Sequence, residues 1–117
     1  MLNERAVELG RLIGQSDEYK AVRRANDALG ADTDAVALLQ RMEQLRHQAA
    51  DMMDRGEQPT AEMEQELEKL LTQVQVNPLY QRMIVAQENF DKIMMQVNQW
   101  ILDGIRKGAS SGIITLG

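Results

Sequence analysis

The stretch that decides the fold is residues 77–106, which read NPLYQRMIVAQENFDKIMMQVNQWILDGIR. Asparagine is a good helix N-cap, and proline at the first helical position loses no hydrogen bond, so Asn77-Pro78 predicts a helix start. Apolar residues then return every three or four positions over roughly four heptads, a length typical of coiled-coil-like pairing. We therefore predict one long amphipathic helix from about Pro78 to Arg106.

Two shorter helices are predicted at the start of the chain. The first covers about residues 3–13, and Gly14 is expected to end it. The second begins after Ser16, whose hydroxyl suits an N-cap, and runs to about Leu29. Gly30 then occupies the position just past the helix, where a left-handed glycine is common.

A second long helix and a fourth, shorter one fill the middle of the chain. The second long helix is predicted to end near Arg55, because Gly56 and Pro59 break the pattern. Three residues are alternative caps for its start: Asp32, Thr33 and Asp34. Thr60 is predicted to cap the fourth helix, which reaches the boundary at Asn77.

These elements predict an all-α fold of about five helices, in which the two long ones form an elongated antiparallel hairpin or bundle. At 1.5 Å per residue, the long helices 33–55 and 78–106 span on the order of 35 and 43 Å. Helices of that length cannot enclose a sphere in a chain of 117 residues. Apolar stripes would stay partly uncovered, so we expect a homo-oligomer, a dimer or larger.

The helical pattern predicts a single domain over residues 1–107. Residues 108–117 are expected to form a flexible tail rich in glycine and serine. The tail ends in the apolar residues Ile113, Ile114 and Leu116, which could dock on another surface.

Composition excludes several classes of function. The chain has no cysteine, so disulfides, thiolate metal sites and a cysteine nucleophile are excluded. No apolar run approaches the roughly 20 residues that span a bilayer, and polar residues at 3–5 interrupt any leader-like start, so we expect a soluble, cytoplasmic protein without membrane contact. Net charge is −5 with no strongly basic segment, so direct nucleic-acid binding is not expected.

No catalytic, cofactor-binding or metal-binding residue is predicted. His47 is the single histidine, and helical geometry turns it away from Leu45 and the apolar stripe, which indicates a solvated side chain. Four glutamates at alternate positions spread around their helix instead of converging on a cation: Glu62, Glu64, Glu66 and Glu68. They predict a solvated acidic face, with a docking surface for a basic partner as the alternative.

The densest basic cluster consists of Lys20, Arg23 and Arg24, which Arg41 and Arg46 would extend if their helices lay side by side. One interpretation is an RNA contact within a larger complex. The simpler interpretation is ion pairing with nearby acidic residues: Asp17, Glu18 and Asp27.

The apolar side of the last helix is the candidate protein interface. Methionine-rich surfaces re-pack easily against different partners, and this helix carries several methionines. We expect part of the strip to be buried between chains or against the third helix. The candidate residues are Phe90, Met94, Met95, Val97, Trp100 and Ile101.

Several short elements resemble the YlbF/YmcA family of bacterial regulators. At the start these are Leu9-Gly10, Ile13, Ser16, Glu18-Tyr19, Ala25 and Leu29. Further along they are Leu38-Leu39, the break at Gly56, and Asn77-Pro78-x-Tyr80 before the long striped helix. The resemblance covers about residues 4–103, and its order and spacing are more specific than any single element.

The resemblance implies an all-α protein that forms homo- or hetero-oligomers and regulates without catalysis. The best-known members act in competence, sporulation and biofilm decisions, within a multi-protein complex that influences RNA processing by a ribonuclease. The resemblance therefore also implies an alternative role as an RNA-associated subunit of such a complex. Some members hold iron–sulfur clusters through cysteines, a property that a chain without cysteine cannot share.

Overall fold

The computed structural model describes the backbone of residues 1–116 and the side chains of residues 1–109. This part of the chain is all-α, as predicted, and contains five helices and no strand. The helices are α1 (Leu2–Gly14), α2 (Asp17–Gly30), α3 (Thr33–Asp54), α4 (Ala61–Gln75) and α5 (Pro78–Leu116). Among the described residues, no helix is both long and apolar enough to cross a membrane.

The helix starts confirm the predicted capping residues. The Ser16 hydroxyl accepts a hydrogen bond from the backbone of Tyr19 at 3.2 Å, and Thr60 does the same for Met63 at 3.1 Å. Of the three alternatives at the start of α3, Asp32 is the cap. Each of these bonds satisfies a backbone N–H that has no partner inside its own helix.

The helix ends differ from prediction at Gly14 and Gly30, which are the last residues inside α1 and α2 and not residues beyond them. Within the described chain, Gly56 is the one glycine with a positive φ, at 77°. Its N–H bonds the carbonyl of Met53 and the next N–H, of Glu57, bonds that of Met52. This bonding pattern is the Schellman motif, and it ends α3 where the sequence predicted a break.

The predicted end of the last helix at Arg106 is wrong, because α5 continues to Leu116. Glycine and serine lower helix propensity but do not forbid a helix that is already formed, since each added residue extends an existing hydrogen-bond ladder. The side chains expected to form an apolar end (Ile113, Ile114 and Leu116) lie outside the described side chains, so their docking stays a prediction.

The helices pack as two pairs, which differs from the predicted hairpin of the two longest helices. Helix α5 packs mainly on α2, whereas α3 packs mainly on α4. The α2–α5 pair holds a buried cluster of Val22, Ala25 and Ala86, with Met83 and Phe90 packed against it. Alanines at the contact let two helix backbones approach closely, which favours α2 over α3 as the partner of α5.

The molecule is strongly elongated, as predicted, with extents of 66 × 38 × 21 Å and a radius of gyration of 21.3 Å. A compact domain of about 100 residues has a radius of gyration near 13 Å. The accessible surface is 9167 Å², whereas a compact monomer of this size exposes about 6,400 Å². The chain therefore leaves much more surface in water than a compact monomer does.

Candidate protein-interaction surface

The face of α5 that packs on α2 is built from Met83, Ala86 and Phe90, which are three and four positions apart. Ala86 is buried and Phe90 is half-buried, and Val97, two turns further along the same side of α5, is only 5% exposed. The Phe90 ring meets the ring of Tyr19, on α2, edge to face with centroids 5.5 Å apart. This geometry is favourable for aromatic pairs, and it fixes the position of α5 along α2.

Beyond Val97 the same face of α5 has little of its own chain to pack against. Trp100 is 63% exposed and Ile105 is 60% exposed, and Ile101 between them is also exposed. These residues continue the spacing of Phe90 and Val97, so the apolar face extends past the end of its intramolecular partner.

A second apolar strip lies on the opposite side of α5, and we call its residues Ile84, Met95 and Leu102 the outer strip. Their separations of 11 and 7 residues correspond to whole numbers of helical turns, so they share one side of the helix. That side is turned roughly 160° away from Val97. Met95 is 71% exposed, and its two neighbours in the strip are exposed as well.

The six residues predicted as an interface therefore fall into two groups. Phe90, Met94 and Val97 are partly or fully buried within the chain. Phe90 packs against α2, whereas the sequence predicted that part of the strip is buried between chains or against the third helix; burial between chains stays a prediction. Met95, Trp100 and Ile101 are exposed and remain candidates, although Met95 faces a different direction from the other two.

The charged residues of α3 and α4 largely follow the sequence interpretation. His47 is exposed, as predicted, and so are three of the four glutamates. Glu66 is the exception, because its two oxygens accept hydrogen bonds from the guanidinium of Arg41 at 2.7 and 3.1 Å. This contact lowers the pKa of Glu66 and raises that of Arg41. It joins α3 to α4, a contact between helices that the sequence interpretation did not anticipate.

The two arginines of α3 that could extend the basic cluster of α2 have acidic partners of their own. Arg41 bonds Glu66, and Arg46 lies 4.0 Å from Glu43 on its own helix. Lys20, Arg23 and Arg24 are exposed. Within the described residues, no ion pair joins these three to the acidic residues of α2, which were their predicted partners.

Asp32 and Asn77 connect the starts of two helices. These residues are 45 positions apart in the sequence, so the sequence interpretation did not predict their contact. One oxygen of Asp32 caps α3, and the other accepts a hydrogen bond from the Asn77 amide at 3.1 Å. The Asn77 oxygen in turn caps α5 by accepting from Leu79 at 2.8 Å. The Asn77 amide, with a smaller contribution from the Ala35 backbone N–H, lowers the pKa of Asp32.

Among the described side chains, few titratable groups have a shifted pKa. In the part of the chain with described side chains, no group of three or more histidine or acidic residues could hold a metal ion. The titratable groups with shifted pKa are Asp32, Arg41 and Glu66, and each is bonded to a partner that shapes the fold. Structural ion pairs shift pKa values as active sites do, so these shifts alone mark no catalytic centre.

The described part of the chain is an elongated all-helical protein with apolar side chains exposed on two sides of its longest helix. Residues 2–106 match the family described as "Control of competence regulator ComK, YlbF/YmcA". The chain therefore belongs to this family of regulators. The match confirms the resemblance seen in the sequence.

Several bacterial relatives share most of the chain. A UPF0342 protein of Streptococcus agalactiae is 31% identical over 96 residues, covering 76% of this chain and 86% of the relative. A UPF0342 protein of Streptococcus gordonii is 24% identical over 101 residues, covering 86% and 90%. Another, from Leuconostoc citreum, is 23% identical over 95 residues, covering 81% and 80%. The family match over residues 2–106 includes residues of all five helices.

Proposed function

We propose that the protein is a non-catalytic regulatory adaptor of the bacterial cytoplasm that acts by binding other proteins through α5. The observation that carries the proposal is the outer strip, where Met95 is 71% exposed between two further exposed apolar residues. The absence of cysteine fits a reducing compartment. Membership of a regulator family supports the regulatory part of the proposal.

The outer strip suits an amphipathic helix of a partner protein. Its three apolar residues lie along one line of α5, so a second helix could cover them together. Methionine and leucine side chains adapt their shape at such a contact. Asp91 and Asn98 lie on the same side of α5 between these three residues, so a partner helix would also have to present polar groups to them.

The test is a paired comparison of partner capture and folding. Met95→Glu should abolish capture of the partner complex from native lysate, because an unpaired carboxylate buried in an apolar contact costs several kcal/mol. Helicity measured by circular dichroism should not change, since the side chain is exposed in the free protein. His47→Ala and Glu43→Gln, which alter exposed polar residues of α3, are the matched controls and should leave capture and the cellular phenotype intact.

The opposite result would contradict the adaptor proposal. If His47→Ala destroyed function in a folded protein while Met95→Glu had no effect, the exposed polar residues of α3 would be part of an active site.

A second candidate function is an RNA-associated subunit, favoured by the cluster of Lys20, Arg23 and Arg24, which carries exposed charge without an ion pair to its own helix. If it contacts phosphates, replacing all three by glutamine should weaken RNA binding and reduce the salt dependence of the association constant. An RNA affinity of the intact protein that is negligible at low salt would exclude this role for the isolated chain.

A further inference from the structure

Helix α1 has an apolar side that the rest of the chain leaves largely uncovered. Four of its residues share that side, because they follow one another at steps of three or four: Leu2, Ala6, Leu9 and Ile13. Leu2 is 85% exposed, and none of the 13 residues of α1, all of which are described, is buried. A helix this short is only marginally stable in water without tertiary packing. The apolar side of α1 therefore lacks the packing that would stabilise the helix.

The apolar end of α5 lacks cover as well, and we call its residues Trp100, Ile101 and Ile105 the terminal strip. These three residues continue the side of α5 that packs on α2, and all are exposed. Since α1 directly precedes α2 in the sequence, it is the segment that would reach the strip if the line of α2 were continued backward along α5.

The packing of α2 on α5 determines which residues of α1 would meet the strip. Tyr19, near the start of α2, contacts Phe90, whereas Ala25 lies in one cluster with Ala86. The two helices are therefore antiparallel, and one step back along α2 corresponds to one step forward along α5. Continued into α1, and to within about a residue, this register gives three apolar pairs at the helix spacing: Ile13 with Val97, Leu9 with Trp100, and Ala6 with Gly104.

We propose that α1 is a lid that closes over the terminal strip of its own chain by a change of direction at Ser16. This residue lies between the two helices and has extended backbone, with φ at −66° and ψ at 152°. Its hydroxyl accepts a hydrogen bond from the Tyr19 backbone and donates one to the Ile13 carbonyl at 2.6 Å. A rotation at this single link turns α1 while the α2–α5 pair stays as it is.

The structure shows the open arrangement of this lid. Among the described residues, no atom outside the helix's own backbone lies within 4 Å of a methyl group built at Gly104, so Ala6 does not pack there. Closure buries the apolar side of α1 and the terminal strip in the same step, which favours it by removing both from water.

Length and tethering favour α1 of the same chain as the occupant. At 1.5 Å per residue, α1 spans about 18 Å and the stretch of α5 from Val97 to Gly108 about 16 Å. A segment joined to its site by so short a link has an effective concentration in the millimolar range or above. A separate molecule at micromolar concentration competes poorly with it.

This inference goes beyond the proposed function and uses another side of α5. The closed lid leaves the outer strip uncovered, so partner binding through Met95 does not depend on it. Failure of the lid proposal therefore leaves the proposed function intact, and the reverse also holds.

A cysteine pair tests the closed arrangement in the intact chain, whose sequence has no cysteine. Ala6→Cys/Gly104→Cys should form an internal disulfide in most molecules on mild oxidation, because closure brings the two Cα atoms within the roughly 4.4–6.8 Å that a disulfide spans. Ala6→Cys/Leu102→Cys is the matched control and should form none, since Leu102 is turned about 160° from Gly104. Non-reducing electrophoresis and mass spectrometry measure both. A disulfide between two chains, or no disulfide at all, would overturn the proposal.

Trp100 provides an independent readout, because it is the only tryptophan of the chain. Leu9→Glu should shift its fluorescence emission to longer wavelength, since a carboxylate on the apolar side of α1 keeps the lid open and the indole in water. Val7→Glu is the control and should leave the emission unchanged, because Val7 is 64% exposed and turned about 160° from Leu9. The shift should not depend on protein concentration. An equal emission of both variants and the unmodified protein would overturn the proposal, as would an emission that changes on dilution, which would assign the cover of Trp100 to a second copy.

Discussion

At the scale of single residues, Asp32 and Asn77 do more than cap one helix each. Asp32 caps α3, Asn77 caps α5, and the hydrogen bond between their side chains ties these two helix starts together. Because α3 belongs to the α3–α4 pair and α5 to the α2–α5 pair, this contact helps to set how the two pairs are joined.

The capping role of Asn77 is open to a direct measurement. Asn77→Ala removes the cap of α5 and the amide that holds Asp32, and should lower the free energy of unfolding by about 1–2 kcal/mol. Asn77→Asp keeps the cap but places two carboxylates side by side, so it should be destabilising at neutral pH and less so in acid. Urea unfolding at fixed protein concentration measures both. Equal effects of Asn77→Asp at pH 7 and in acid would show that the Asp32 contact is absent.

The depressed pKa of Asp32 predicts how stability varies with pH. Since the folded pKa of Asp32 lies below its ordinary value of 3.8, ionised Asp32 stabilises the protein above that pH, and this contribution is lost as pH falls through the folded pKa. Asp32→Asn should therefore be destabilising at pH 7, and the difference from the unmodified protein should shrink in acid. Urea midpoints measured between pH 7 and pH 2 test this, and a constant difference would contradict it.

Phe90 is the residue whose side chain links α5 to the aromatic ring on α2. Phe90→Ala should cost about 2–4 kcal/mol, toward the lower end of the range for buried phenylalanine because the ring is half-buried. Val85→Ala, an exposed position on α5, is the control and should change stability by less than about 0.5 kcal/mol. Chemical denaturation of both variants measures the difference, and similar values would show that Phe90 is not part of the core.

At the scale of the helices, glycines of similar sequence context behave differently. Gly56 ends α3 with φ at 77°, whereas Gly30 is the last residue of α2 and has no left-handed backbone. Gly56→Ala should therefore be destabilising by about 1 kcal/mol, because alanine is strained in that conformation. Gly30→Ala should be neutral or stabilising by up to about 1 kcal/mol. A loss of stability in Gly30→Ala would restore the sequence-based assignment of that glycine as a left-handed cap.

The sequence predicted the individual helices but not which helices pack together. Periodicity identified all five helices, and capping residues placed their starts to within a residue or two, because both signals are local. Which helices pack together depended on alanines at the α2–α5 contact and on Arg41 bonding Glu66 across α3 and α4. These contacts join residues that are far apart in the sequence, so local periodicity and capping motifs cannot predict them.

At the scale of the whole molecule, the elongated shape links stability to concentration. If the chain forms the homo-oligomer expected from its sequence, the native state is favoured by mass action, and the thermal midpoint should rise with protein concentration. Scanning calorimetry at several concentrations tests this, and a midpoint independent of concentration would contradict self-association.

The sequence by itself determined the helical class, the five helix starts, the solvated His47 and the family. These follow from local hydrogen bonding, capping chemistry and periodicity, which need no knowledge of distant residues. Only the tertiary structure decided that Phe90 and Val97 are used inside the chain while Trp100 and Met95 are exposed on different sides of α5. The physical reason is the difference in helix length. Because α2 is shorter than α5, the apolar face of α5 extends beyond the end of α2. Which residues of α5 stay exposed therefore depends on how the two helices are aligned.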